Sequence, residues 1–119
     1  MAEIYKCIHL NSDKHVGSID QEGKIFARQP GLEEYIGWID YEDGEVYNRE
    51  DIFLGWVEDD GGVVAHYDEE DIDLGYVTDG GELYLYDDED EIYVGKVVDM
   101  EDSVEGAAAL LLFFDEEEE

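Results

Sequence analysis

A short apolar motif recurs along the chain: Val16-Gly17-Ser18-Ile19, Ile36-Gly37-Trp38-Ile39, Leu54-Gly55-Trp56-Val57, Leu74-Gly75-Tyr76-Val77 and Val94-Gly95-Lys96-Val97. Each copy runs aliphatic, glycine, variable residue, β-branched residue, and the glycines at 17, 37, 55, 75 and 95 are 18 or 20 residues apart. Self-similarity at such a period marks a repeated supersecondary unit. A second segment follows each of the first four copies: Gly23-Lys24-Ile25-Phe26, Gly44-Glu45-Val46-Tyr47, Gly62-Val63-Val64-Ala65 and Gly81-Glu82-Leu83-Tyr84. The residues between are acidic and rich in Asp-Gly and Gly-Gly, which between apolar runs is a strong hairpin signal. The pattern predicts an all-β fold of four to five glycine-marked hairpins, each about 20 residues long.

Side chains alternate between the two faces of a strand. The recurring glycine therefore shares a face with the aliphatic residue two positions later, and Trp38, Trp56 and Tyr76 take the opposite face. The core layers expected from this are Ile19 with Ile25, Ile39 with Val46, Val57 with Val64, and Val77 with Leu83. A glycine inside a strand marks a bend or a close backbone approach, so five on one face imply strands converging on a common axis. Glu3-Ile4-Tyr5 matches a second segment, whereas Val94–Val98 lacks a second-strand partner. Pairing the two would close the array into a ring and remove its edges.

After Met100 the pattern changes. Asp102 and Glu105 have the spacing of a helix-capping pair and precede an alanine and leucine run, which predicts a short helix over 103–114. A final strand is the alternative. The helix would be buried or would cover one end of the ring. Residues 1–114 are expected to form one domain, with 115–119 as an acidic tail.

Composition adds one extreme property. The chain has 36 acidic and 6 basic residues in 119, a net charge of −30. Such charge often accompanies disorder, but nine Tyr, four Phe and two Trp supply the apolar surface that disordered chains lack. The few cations argue against nucleic acid, whose phosphates are bound by Lys and Arg. The lone cysteine, Cys7, cannot form an internal disulfide. Residues 1–6 lack the basic start and apolar stretch of a secretory signal. The apolar run from Ala107 to Phe114 is shorter than the about 20 residues a membrane helix needs. A cytoplasmic protein that does not engage membrane, present as a monomer or small homo-oligomer, is expected.

The Gly-x-[Ile/Val] hairpins at this period, followed by the alanine- and leucine-rich segment, resemble the small bacterial repeat domains known as the β-flower. The likeness covers Val16 to about Leu112. It implies hairpins arranged as petals around a pseudo-fourfold axis, and it implies no activity.

Catalytic chemistry finds little support in the residues. Cys7 and His9, two apart on one strand, share a face and form the one possible nucleophile–base pair, with a structural cysteine beside a surface histidine the expected alternative. No glycine-rich turn leads into a helix with a following lysine, so no phosphate loop is present. Hard cations prefer clustered oxygens, which makes Asp68, Asp71, Asp87 and Asp90, in the acidic loops between hairpins, candidates for Ca²⁺ binding. Neither loop has EF-hand spacing, and no cofactor is called for. Trp38, Trp56 and Tyr76 are ligand-binding candidates, since an open aromatic strip attracts cationic groups. The expected arrangement, however, packs them under loops or the C-terminal helix. The expectation from sequence is a non-enzymatic structural or interaction module that presents acidic loops to a basic protein partner. Small-ligand binding by the aromatics and Ca²⁺ binding by the loops are the alternatives.

Overall fold

The computed structural model describes residues 2–9, 12–29, 31–67, 70–87 and 90–114, with only the backbone described for Ile8, His9, Ser12, Gln29, Tyr67 and Asp87. The expected acidic tail, 115–119, lies outside the described residues. Ten strands follow one another: β1 (Ala2–His9), β2 (Ser12–Ile19), β3 (Lys24–Gln29), β4 (Leu32–Asp40), β5 (Glu45–Asn48), β6 (Phe53–Val57), β7 (Gly62–Tyr67), β8 (Glu70–Val77), β9 (Glu82–Asp87) and β10 (Asp90–Val98). One helix, α1 (Ser103–Phe113), follows β10 among the described residues.

Each strand pairs antiparallel with its neighbours in sequence, and β1 pairs with β10 to close the barrel. The closing register sets Ile4 opposite Val97 and Tyr5 opposite Lys96, so the half-repeats at the two ends form the fifth hairpin unit. The ring holds five units, where the β-flower likeness implies four. Around the belt every strand therefore has a partner on both sides, whereas the hairpin arms beyond it pair on one side only, as residues 70–73 of β8 do with β7.

The core repeats with the hairpins. Ile4, Ile25, Val46, Val63 and Leu83 form one set, and Ile19, Ile39, Val77 and Val97 a second; all are almost completely buried, with Val57 partly buried beside them. Cross-strand pairs Ile19 with Ile25, Ile39 with Val46, and Val77 with Leu83 are as expected. The third unit differs, because Val57 faces Val63 and not Val64. Two adjacent glycines leave two ways to align this turn. It is Gly61, with φ +90°, that takes the left-handed tip position held by Gly23, Gly44 and Gly81. Val63 thereby moves inward, and Val64 faces out opposite Trp56.

Each belt glycine is preceded by a bulge. Ile25 faces Gly37 while Phe26 faces Tyr35, which leaves Ile36 as an extra residue. Val16, Leu54, Leu74 and Val94 are extra in the same way. A bulge bends its strand and increases the local twist, and five of them let a ten-stranded sheet curl shut. The bend brings backbones together: a Cβ on Gly75 would overlap the Tyr84 carbonyl oxygen and stand 3.0 Å from Leu85 Cα.

Helix α1 fills the barrel. Eight consecutive residues, Val104 to Leu111, are buried, so every face of two helical turns is covered, as in a helix enclosed by protein. About eight strands make a barrel that side chains alone can fill; ten leave room for a thin helix, and Gly106-Ala107-Ala108-Ala109 supply a thin one. Leu111, Leu112, Phe113 and Phe114 sit in front of Gly55, Gly37, Gly17 and Gly95. Asp102 caps the helix by accepting from the Val104 amide at 3.1 Å. Glu105 does not complete the expected capping pair with Asp102. It accepts instead from the Glu101 amide at 2.8 Å and from the Tyr41 hydroxyl at 2.6 Å.

Candidate functional site

Because the lumen is occupied by α1, Trp38, Trp56 and Tyr76 do not pack beneath the helix. They lie on the outer face of the barrel, each partly buried. This corrects the expectation that loops or the helix cover them, and its cause is the inward position of α1. Nor do the three form one continuous strip. They stand on alternate strands, with Trp38 stacked on Tyr47, Trp56 on Phe53 and Tyr76 on Tyr84.

The outer face carries one triplet per hairpin unit. Its first member follows the belt glycine, its second is the cross-strand residue on the second strand, and its third lies two residues before the next belt glycine. The bulge turns this third position outward. In the second unit Trp38 stacks on Tyr47 at 4.4 Å between ring centroids, and Tyr47 meets Phe53 at 5.7 Å. In the fourth, Tyr76 stacks on Tyr84 at 4.9 Å and Tyr84 meets Tyr93 edge-on at 5.6 Å. The first unit places Ser18 opposite Phe26, with Phe26 5.9 Å from Tyr35. The fifth sets Lys96 over Tyr5, which lies 5.0 Å from His15. The third has Trp56, Val64 and Asp73. Tyr47, Phe53, Tyr84 and Tyr93 therefore belong to the candidate surface; the sequence signal for Tyr47 and Tyr84 is their place in the repeated second segment, and for Phe53 and Tyr93 the position two before a belt glycine.

Carboxylates border these rings. The Trp38 indole donates to Asp51 at 2.8 Å, the Tyr47 hydroxyl to Glu45 at 2.9 Å, and the Tyr76 hydroxyl to Glu91 at 2.9 Å. Hydrogen bonding to Glu91, ahead of burial, pushes the Tyr76 phenol up to about 12; the bond to Glu45 raises that of Tyr47. Four of the six cations are already engaged: Arg49 with Glu34 at 2.6 Å, Lys96 with Asp13 at 3.3 Å, Lys24 with Glu22 at 3.6 Å and Arg28 with Glu33 at 4.0 Å. Most of the 36 carboxylates therefore have no cation of the chain itself to balance them.

Of the acidic-loop candidates, Asp68 lies outside the described residues and the side chain of Asp87 is not described. Asp71 is paired with His66 at 2.7 Å, and Asp90 is exposed. Among the described residues the carboxylates that converge, Asp40, Asp43 and Glu45, lie elsewhere, in the tip turn of the second unit, with ligand atoms within 4.8 Å of one another. Asp40 spends one oxygen on the turn itself, accepting from the amides of Glu42 at 3.1 Å and Asp43 at 3.3 Å. At the end of the barrel where α1 enters, a hollow of about 260 Å³ is lined by Asp20, Tyr41, Asp99, Glu101, Asp102 and Glu105, among others. Cys7 is half-buried on β1, and the side chain of His9 is not described, so the possible nucleophile–base pair has no described geometry. Among the described residues no helix is long and apolar enough to cross a membrane.

Comparison with protein-family models finds no match, and comparisons with curated proteins and with solved structures find none either.

Proposed function

We propose that this chain is a non-enzymatic interaction module that captures a basic protein partner on the outer surface of its barrel, and that its likeness to the β-flower domains is one of architecture, with five petals. One observation carries the reading: α1 occupies the lumen, so the surface left for recognition is the outside, where stacked aromatics are set among carboxylates with few cations of their own. A partner rich in Lys and Arg supplies the missing charge. Long-range attraction steers it in, and aromatic faces hold it at contact.

The test is calorimetric titration with a nona-lysine peptide over a series of NaCl concentrations. Association at low salt that weakens steadily as salt is added supports capture by charge. No association at the lowest salt contradicts it and leaves the acidity as an adaptation to a salty medium, in which added salt stabilises the fold without any partner.

A further inference from the structure

The fifth unit shows how this surface seats a cation. Lys96 occupies the position after the belt glycine that Trp38 and Tyr76 hold in their units, and Tyr5 occupies the position of Tyr47 and Tyr84. The Lys96 ammonium stands 5.7 Å from the centre of the Tyr5 ring and 3.3 Å from Asp13 Oδ2. In this unit a cation takes the place of one aromatic, held by a ring and a carboxylate together.

The third unit lacks an aromatic in the complementary way. Trp56 has Val64 across from it instead of a ring. Val64 is only 5% exposed although it points away from the helix-filled core cluster, so side chains on the outer face cover it. Trp56 lies parallel to Phe53, with centroids 6.0 Å apart. An open depression of about 490 Å³ is lined by Trp56, Val57, Glu58, Asp59 and Asp60. Beyond Val64, the third member of the triplet is a carboxylate, Asp73, which is exposed.

We propose that this depression receives an arginine side chain from the basic partner, with the guanidinium stacked on the Trp56 indole and paired with Glu58 and Asp59. The inference rests on the interaction reading above and names the contact point for it. Arginine fits better than lysine because its planar, weakly hydrated head stacks on an aromatic face while its N–H groups engage carboxylates in the same plane. Trp is the most favourable ring for a cation. Asp60 is already used, since its Oδ1 accepts from the Gly62 amide at 2.9 Å, which leaves Glu58 and Asp59 as the partners.

The experiment titrates the intact protein with a nona-arginine peptide, read by calorimetry and, in a Trp38→Phe background, by the emission of Trp56 alone. A saturable change in that emission is expected. Trp56→Leu should weaken binding about tenfold, and Trp56→Phe, which keeps a ring, should lose no more than about threefold. Circular dichroism establishes that each variant is folded. Should Trp56→Leu not fold, the exposed pair Glu58→Gln and Asp59→Asn carries the test against Asp79→Asn and Glu82→Gln, which remove the same charge from the next unit. The first pair should weaken binding at least about threefold more than the second. If the peptide binds but these variants and controls behave alike, the contact point is wrong while capture by the acidic surface stands. If the peptide does not bind at low salt, both fail.

Discussion

The hydroxyl of Tyr41, in the tip turn between β4 and β5, donates a 2.6 Å hydrogen bond to Glu105 in the first turn of α1. The two residues are 64 apart in sequence, and the bond fastens the rim of the barrel to the helix that fills it. It also answers why a carboxylate, Glu105, is only 5% exposed at this end: a buried charge persists when hydrogen bonds satisfy it. Removing the donor with Tyr41→Phe should lower stability by about 1–2 kcal/mol. Thermal unfolding followed by circular dichroism measures this.

The same bond sets an alkaline limit. Burial, then the hydrogen bond and charge of Glu105, raise the Tyr41 phenol above its ordinary value of 10.0, and the Tyr76 phenol is pushed up to about 12. Both folded-state values lie above the unfolded one, so the folded protein holds protons that the unfolded chain releases. Their contribution is complete below pH 10 and is lost as pH rises from 10 towards 12 and beyond. Unfolding midpoints should therefore fall across that interval, and the Tyr41→Phe, Tyr76→Phe double variant should show a shallower fall. A midpoint that drops as steeply in the double variant would count against these bonds.

Backbone approach at the belt makes glycine substitutions diverge by position. A methyl at Gly75 would overlap the Tyr84 carbonyl, so Gly75→Ala should destabilise by about 3 kcal/mol or leave no folded protein. At Gly80 the nearest atom to an added Cβ, Thr78 Oγ1, is 3.9 Å away, and Gly80→Ala should be neutral or stabilise by up to about 1 kcal/mol. Paired urea titrations of the two variants settle this contrast.

The helix is as much a part of the core as the strands. Leu110 is fully buried, and Leu110→Ala should cost about 2–5 kcal/mol. Leu32 is 58% exposed on β4, and Leu32→Ala should change stability by no more than about 0.5 kcal/mol. The same urea titrations separate a helix packed within the barrel from one lying loosely across its end.

Sequence pattern carried the hairpins, the glycine belt and the closure of the ring, because each follows from a rule that acts locally: turn chemistry at the tips, alternation along strands, and a half-repeat at each end. Other features depend on choices that alternation leaves open. The double glycine Gly61-Gly62 permits two registers that differ by one residue, and the left-handed backbone of Gly61 selects between them. The extra residues Val16, Ile36, Leu54, Leu74 and Val94 interrupt strict alternation, so Phe53 and Tyr93 read as unrelated to Tyr47 and Tyr84 until the bulges are known. The inward course of α1 needs a barrel wide enough to admit it, a property of strand number that the small residues Gly106 to Ala109 do not reveal by themselves. With the helix placed inside, the aromatics lost their expected cover and became surface.

Charge at the tips should act on stability in opposite directions at neighbouring residues. Asp40 holds its turn through two amide hydrogen bonds, so Asp40→Ala should destabilise by about 1 kcal/mol. Asp43 is exposed and crowded by Asp40 and Glu45, so Asp43→Asn should stabilise by about 0.5 kcal/mol at low salt and lose that gain as salt is added. Thermal midpoints in dilute buffer and in added NaCl provide the check.

The central claim is that the outer face of the barrel, at Trp56, receives a cationic partner. Its most direct test follows the two indole N–H signals and the backbone amides in a proton–nitrogen correlation spectrum while nona-arginine is added. Saturable shifts are expected at the Trp56 indole and at residues 56–60, with the Trp38 indole, already bonded to Asp51, nearly still. Shifts spread evenly over all the acidic tips, or none near Trp56, would contradict it.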